Sequence, residues 1–455
     1  MNSKMKWQAM VVSTAQSILV IVLFALLGCG QAEPGEIEAT VSNLSAPEPD
    51  DAMLEMMESE VRTAWPVADV NPDITAPGRE YLVVASENNM LALEPLLEAR
   101  IDQGFTVQQI YLEDLSPSEG ISQAETIRAQ LAAVIDPAKE TFILLAGSNL
   151  ELTMPYFRLA SGYYAYTDLY YANLHSDFDS NNDGDLGEWG VDDYDLVLDA
   201  HIGRVPIDNP KLTRAWAIKT LWFELTAPEY RNQALLAAGY IALPPDSAIG
   251  QEMTKRFVLE PAGFEVTSMY EAMPNASEEL ADYEVLTEES LINKLQQESF
   301  GLVFWMSHGD VDGGYLLYGD AFIDKEDVPA IADRPPAMFF SSACLNSYPQ
   351  TYFPPYYSSL SIGQKLMGMP AVSFVGSTVE TYPGTLMGGV FVLLTGIDRV
   401  AAKHHPVAVG VDEAREMYVK YYWNISADKG AFLQNFFGFS VYGDPGLRYP
   451  ALNAD

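Results

Sequence analysis

The chain has 455 residues, 48% hydrophobic and 11% aromatic, enough to bury the core of a large α/β unit or of two smaller ones. Its 25 Lys and Arg face 63 Asp and Glu, a formal charge of −38. A field of that sign repels phosphate backbones and excludes nucleic acid as a partner, while calcium, cationic peptides and plain solubility are what it favours.

The first residues read as an export signal. Lys4 and Lys6 form a basic start, Ile18 to Leu27 an apolar core, and small Gly28 precedes Cys29. The apolar stretch is on the short side of the roughly 20 residues a membrane-spanning helix needs. Leu26-Leu27-Gly28-Cys29 resembles the lipobox of bacterial lipoproteins, which implies removal of residues 1–28, lipidation of Cys29 and a place in the cell envelope, anchored by lipid. With Cys29 lipidated, Cys344 is the one thiol left and no intramolecular disulfide can form. Residues 29–77 are acidic and Pro-rich and read as a solvated tether, with a short helix around Ala52 to Arg62.

Folded sequence begins with the strand Tyr81–Ala85, followed by a helix over Leu91–Arg100, a strand at Thr106–Ile110, a helix over Ala124–Ile135 and a strand at Phe142–Ala146. Beyond an irregular polar region, Asp195–Ile202 reads as a strand and Pro210–Leu225 as a helix. The alternation resumes with a strand at Ala234–Ala238, a helix over Ala248–Val258, a strand at Phe264–Thr267 and a helix over Ser290–Gln297. Two apolar strands then run out at His308 and at Cys344, a third spans Ala371–Val375, and helices cover Met387–Ile397 and Val407–Tyr422. The pattern predicts an α/β fold of two subdomains, 78–230 and 231–450, each with a mostly parallel sheet flanked by helices.

Asp177, Asp179, Asn181, Asp183, Asp185 and Glu188 concentrate oxygen donors at alternate positions around Gly184, as in the first half of an EF-hand loop. The glutamate comes earlier than in a full hand and no second helix is evident, so a calcium loop is weighed against a solvated acidic turn. His201, His404 and His405 have no metal-binding spacing.

Ligand sites in open α/β sheets lie beyond the carboxyl ends of the strands, where His308 and Cys344 are both expected. A thiol paired with an imidazole gives a reactive thiolate and a proton donor for a leaving amine, and the Gly309 and Cys344 amides are placed to bind an oxyanion. On chemistry alone, packing for the cysteine and a polar loop for the histidine remain open.

Strand-His308-Gly309 followed by strand-Ala343-Cys344 resembles the dyad motif of the caspase-like cysteine peptidases, and within them the gingipain family, C25. The likeness spans roughly Tyr81 to Arg448. It includes Thr167-Asp168-Leu169-Tyr170-Tyr171, His201-Ile202-Gly203-Arg204-Val205-Pro206, Phe374-Val375-Gly376-Ser377-Thr378 and Val441-Tyr442-Gly443-Asp444-Pro445. The resemblance implies a caspase-like fold and an endopeptidase acting on peptides or proteins, with Cys344 as nucleophile, His308 as base and acid, and Glu151 orienting the histidine. It further implies that Asp168 lies in a pocket for a basic side chain, that Tyr382 walls that pocket, and that cleavage follows Arg or Lys. A sortase-like transpeptidase using the same thioester, and an inactive calcium-binding surface protein, are the rival expectations.

Overall fold

Runs such as Leu302-Val303-Phe304-Trp305-Met306 are apolar at every position because helices cover both faces of the sheet they enter, and all five of these residues are buried. The structure, a computed structural model, describes residues 51–64 and 78–452 apart from 116–119, 160, 227, 242–245, 273–281, 352–359 and 383–387. The export signal, Cys29 and most of the tether lie outside the described residues. None of the described helices is long and apolar enough to cross a membrane.

The strands are β1 (Arg79–Ala85), β2 (Thr106–Tyr111), β3 (Glu140–Ala146), β4 (Tyr156–Arg158), β5 (Tyr164–Tyr166), β6 (His201–Val205), β7 (Gln233–Ala238) and β8 (Glu265–Tyr270). They continue as β9 (Glu284–Val285), β10 (Leu302–Met306), β11 (His308–Gly309), β12 (Gly313–Tyr315), β13 (Ala321–Asp324), β14 (Ala337–Ser341), β15 (Ala371–Ser377) and β16 (Phe439–Gly443). Eleven of them form one sheet in the order β2-β1-β3-β6-β16-β15-β14-β10-β7-β8-β9. Every pairing in it is parallel except β15 with β16. Side chains alternate between two core layers: Leu82 and Val84 enter one, Tyr81, Val83 and Ala85 the other. The fold is mixed α/β with a large, mostly parallel sheet.

The two expected sheets are joined edge to edge. The seam is made by β16, from the end of the chain, which meets β6 at the single pair Tyr442–Arg204. Gly203 admits this contact, since a Cβ there would lie 2.4 Å from the Gly443 carbonyl oxygen.

Two expectations need correction. Within the stretch read as a solvated tether, the helix Asp51–Ala64 packs on the helix Pro210–Thr226. Met57 and Val61 are buried there, and the Trp222 indole donates to Glu60 at 2.5 Å. The strand read at Asp195–Ile202 is displaced to His201–Val205. The alternating Asp195, Val197 and Asp199 imitate a half-exposed strand, but their carboxylates accept from Val197 N–H and Leu174 N–H and shape a loop.

Candidate active site

Strands β10 and β14 are adjacent and parallel, and Leu302, Val303, Phe304 and Trp305 each pair with the residue 36 positions later, from Met338 to Ser341. Cys344 follows His308 by the same interval, so the two emerge opposite each other beyond the carboxyl ends of neighbouring strands. Both line one cleft with Ile241, Ser307, Ser342, Thr381, Tyr382, Gly389 and Val390, with about 350 Å³ of empty space that includes open solvent.

The His308 Nε2 lies 2.6 Å from the Ile241 carbonyl oxygen. A carbonyl only accepts, so Nε2 carries a proton, and Nδ1 is the nitrogen that is basic when the ring is neutral. The Cys344 sulfur receives the Thr381 backbone N–H at 3.4 Å and lies 3.5 Å from the Thr381 hydroxyl, which itself donates to the Ser342 carbonyl at 3.0 Å. Ser342 is 5% exposed, and among the described residues its hydroxyl has no hydrogen-bond partner.

The frame around the pair is rigid. Asn346 accepts from the Trp305 indole at 3.0 Å and the Ser341 hydroxyl at 2.7 Å, and its amide donates to the carbonyls of Asp310 and Gly313 at 2.7 and 2.9 Å. That one side chain ties β10, the hairpin carrying His308 and the loop after β14 together. Gly309 is needed for close approach: a Cβ there would meet the Ala343 Cβ at 2.5 Å. Directly after the thiol, Leu345 holds φ at 59°, an uncommon backbone conformation for a branched side chain, with its N–H on the Val379 carbonyl at 3.3 Å.

Two carboxylates expected at the site are engaged elsewhere. Glu151 follows β3, five strands from β10 and therefore about 24 Å across the sheet. It accepts from the Asn89 amide at 3.1 Å, and burial, ahead of the nearby Asp208 charge, raises its pKa. It does not reach His308; the Ile241 carbonyl occupies the ring position assigned to it. Asp168 is buried in a two-pronged ion pair with Arg204, at 2.7 and 2.8 Å. Burial opposes the Arg204 charge, and the Asp168 carboxylate outweighs it, so the guanidinium stays firmly protonated. Arg204 also donates to the carbonyls of Gly147 and Leu152 at 2.9 and 2.8 Å. A carboxylate so neutralised is not an open receptor for a substrate cation. Tyr382, by contrast, stands in the cleft, its backbone fixed by Asn435 at 3.0 and 2.9 Å.

The acidic loop closes on itself. Asp179 accepts from the N–H groups of Asp183 and Gly184 at 2.9 and 3.2 Å, and Asp183 from Asp185 N–H at 2.9 Å. Asn182 and Gly184 take positive φ angles of 59° and 87°. Asp192, which the sequence pattern does not mark, accepts from Ser180 N–H at 3.1 Å and Glu188 N–H at 2.8 Å. Asp177 pairs through its backbone with Asp193. The Asp185 N–H, then Asn181, lowers the Asp183 pKa, whereas desolvation and then the Asp183 charge raise that of Glu188. Hard oxygen donors suit calcium. Among the described residues, however, no three or more His, Cys, Asp or Glu converge as a metal site, and Arg158 pairs with both Asp185 and Glu188.

Sequence reasoning missed Ile241, Ser342, Thr381 and Asn346. Ser342 had one signal: it follows directly on the strand that leads to Cys344. Ile241 acts through its carbonyl, which no side-chain pattern reveals.

The model of peptidase family C25 matches residues 74–450. No curated protein matches the chain. Among solved structures, the Arg-specific cysteine proteinase gingipain R (RgpB) superposes with a TM-score of 0.60 at 15% identity, covering 82% of this chain and 79% of that one. The complex of the pro- and mature domains of RgpB from Porphyromonas gingivalis gives a TM-score of 0.59 at 16% identity, covering 82% and 80%.

Proposed function

The chain belongs to peptidase family C25 and is a cysteine peptidase by that membership, and from this premise we propose that it is an exported, lipid-anchored endopeptidase working through Cys344 and His308. The observation that carries the proposal is the shared cleft at the carboxyl ends of β10 and β14, into which both residues open. The sulfur attacks the scissile carbonyl carbon as its proton passes to Nδ1 of His308, whose other nitrogen is anchored on Ile241. The oxyanion is received by the Gly309 and Cys344 amides. The protonated imidazole then gives its proton to the departing amine, and water releases the acyl group from its thioester on Cys344. Tyr382 walls the substrate side of the cleft. Cleavage after Arg or Lys, implied through Asp168, is not carried into this reading because that carboxylate is paired with Arg204.

Cys344→Ala and His308→Ala are expected to lower kcat by about 10⁴-fold or more against a fluorogenic peptide library while leaving the melting temperature within a few degrees. Wild-type turnover in Cys344→Ala would end the proposal.

Two further parts belong to the same reading. Cys29 carries the lipid, so Cys29→Ser should move the protein from the membrane to the soluble fraction. A calcium ion binds the loop through Asp177, Asp179, Asn181, Asp183, Asp185 and Glu188, where it neutralises crowded carboxylates and stiffens the turn. Binding requires Arg158 to release Asp185 and Glu188. Calcium should raise the melting temperature and a chelator reverse the gain; a temperature indifferent to both leaves the loop as a self-closed turn.

A further inference from the structure

We propose that a groove at the edge of the sheet, remote from the Cys344 cleft, is a docking site for a cationic amphipathic peptide segment of another protein. Among the described residues β2 ends the sheet, six strands and therefore about 29 Å from β14. The groove lies between β2 and the consecutive helices Glu87–Ala92 and Glu94–Asp102, with about 1270 Å³ of empty space that includes open solvent. Its floor is apolar. Met90 and Leu97 are buried in it, and Leu91 and Ile101 line it at 68% and 55% exposure. Exposed apolar surface gathered in a groove and rimmed by polar groups marks an interaction site. The rim here is acidic: Glu87, Glu94, Glu98, Glu113 and Asp114 line the groove, and no Lys, Arg or His does. Glu113 accepts from the Glu87 N–H at 3.0 Å, and none of the five carboxylates forms an ion pair among the described residues. Arg62 pairs with Glu58 and feels the Glu98 charge only behind that partner and desolvation.

Charge complementarity decides the occupant. Of the 25 Lys and Arg in the chain, only Lys4 and Lys6 of the export signal fall outside the described residues. Beyond that signal, no undescribed segment can therefore neutralise the rim, including 65–77 and the 116–119 stretch that follows the groove. Residues 29–50 add Glu33, Glu36, Glu38, Glu48 and Asp50 and would be repelled. A second copy brings the same charge of −38 and the same acidic rim. A peptide with Lys or Arg on one side and branched aliphatic side chains on the other meets both the rim and the floor. Exposed ion pairs are individually weak, so the apolar floor has to carry part of the affinity. Neither cationic charge nor apolar surface is then sufficient alone.

The test follows, by fluorescence anisotropy, a short labelled peptide of Lys and Leu in equal number binding to the Cys344→Ala protein, so that no cleavage at that thiol consumes the probe. Peptides with Gln in place of Lys, or Ser in place of Leu, should each bind at least about tenfold more weakly. Glu94→Lys with Glu98→Lys should weaken the Lys–Leu peptide about tenfold, and Leu91→Ser about threefold. Glu288→Lys with Glu289→Lys makes the same change of charge on the helix Glu288–Gln297 and should leave binding as it was. All five substituted positions are exposed, so folding is not at stake. Equal weakening by the two charge reversals, or equal affinity for the peptide with Ser, means diffuse attraction to a polyanion and overturns the inference. Binding that appears only once residues 29–50 are removed makes the tether the occupant, and self-association abolished by Leu91→Ser makes it a second copy; either result overturns it too, as does no binding at all. None of these outcomes depends on whether Cys344 is a nucleophile, so the peptidase reading stands or falls separately.

Discussion

At the carboxyl ends of β3 and β6, polar side chains satisfy one another: Arg204 holds Asp168 and two carbonyls, Ser148 holds Asp208, and Asn89 holds Glu151. At the ends of β10 and β14, across the seam, His308 and Cys344 line one cleft together with Ser342. The same sheet provides both edges, and open α/β sheets place ligands at such edges in general. The difference is saturation. A closed network of ion pairs and carbonyl bonds stabilises the first edge against a ligand, whereas the groups of the second line a cleft and are held mainly by backbone atoms of Ile241 and Thr381.

The most forceful way to break that comparison is Asp168→Ala. If the first edge is structural, removing one arm of a buried ion pair strands the Arg204 guanidinium and should cost about 3–5 kcal/mol, read by denaturant titration. The ranking of substrates should stay as it is in the wild type. A variant of unchanged stability that loses cleavage after Arg or Lys would make Asp168 a substrate carboxylate and erase the distinction between the edges.

Much of the second edge was legible because its chemistry is written in side-chain identity at strand ends: His308 after Met306-Ser307 and Cys344 after Ser342-Ala343 need only the parallel register to face each other. The first edge misled for the converse reason. Asp168 and Arg204 stand in two separate motifs, and only β6 beside β3 brings the second to neutralise the first. Glu151 failed through strand order, which local pattern does not encode: β3 is near β10 in no sense except the count of intervening motifs. The seam was hidden likewise, because β16 returns from the far end of the chain to lie between β6 and β15. Helix Asp51–Ala64 was marked in sequence, but its docking depends on the outer face of a helix some 150 residues later.

A third kind of group sharpens the comparison, a buried charge that has neither a counter-charge nor access to substrate. The Lys219 ammonium, on the helix Pro210–Thr226, donates to the Met369 carbonyl and has no carboxylate partner among the described residues; burial lowers its pKa from 10.5 to about 8. Between those two values the unfolded chain holds a proton that the folded protein has released, so stability rises with pH across that window. Below pH 8 both states are protonated and the full penalty applies. Lys219→Met removes the charge and leaves one carbonyl unpaired, for a net gain of about 2 kcal/mol at pH 7. The gain should fade as pH rises from 8 to 10.5, measured by denaturant titration at pH 7 and pH 10. A variant less stable than wild type at pH 7 would mean that this group, too, belongs to a satisfied network.

The smallest expected effect probes the second edge at the thiol itself. Thr381 offers the Cys344 sulfur three contacts, its N–H at 3.4 Å, its hydroxyl at 3.5 Å and, as acceptor from the thiol, its carbonyl at 4.0 Å. That hydroxyl has one proton, which the Ser342 carbonyl holds at 3.0 Å, so toward a neutral thiol it presents a lone pair. Once the sulfur is a thiolate, the better arrangement turns the O–H from the carbonyl to the anion, because bonds to charged groups are the stronger ones. Thr381→Val keeps the N–H and the side-chain shape but loses the rotating proton. The thiol pKa should rise by about one unit, which lowers iodoacetamide alkylation of Cys344 about tenfold at any pH well below it. Thr381→Ser should restore the profile, which a purely packing role for the threonine would not require. An alkylation profile identical in all three proteins would leave the N–H as the thiolate's partner from Thr381 and reduce the hydroxyl to a brace for Ser342.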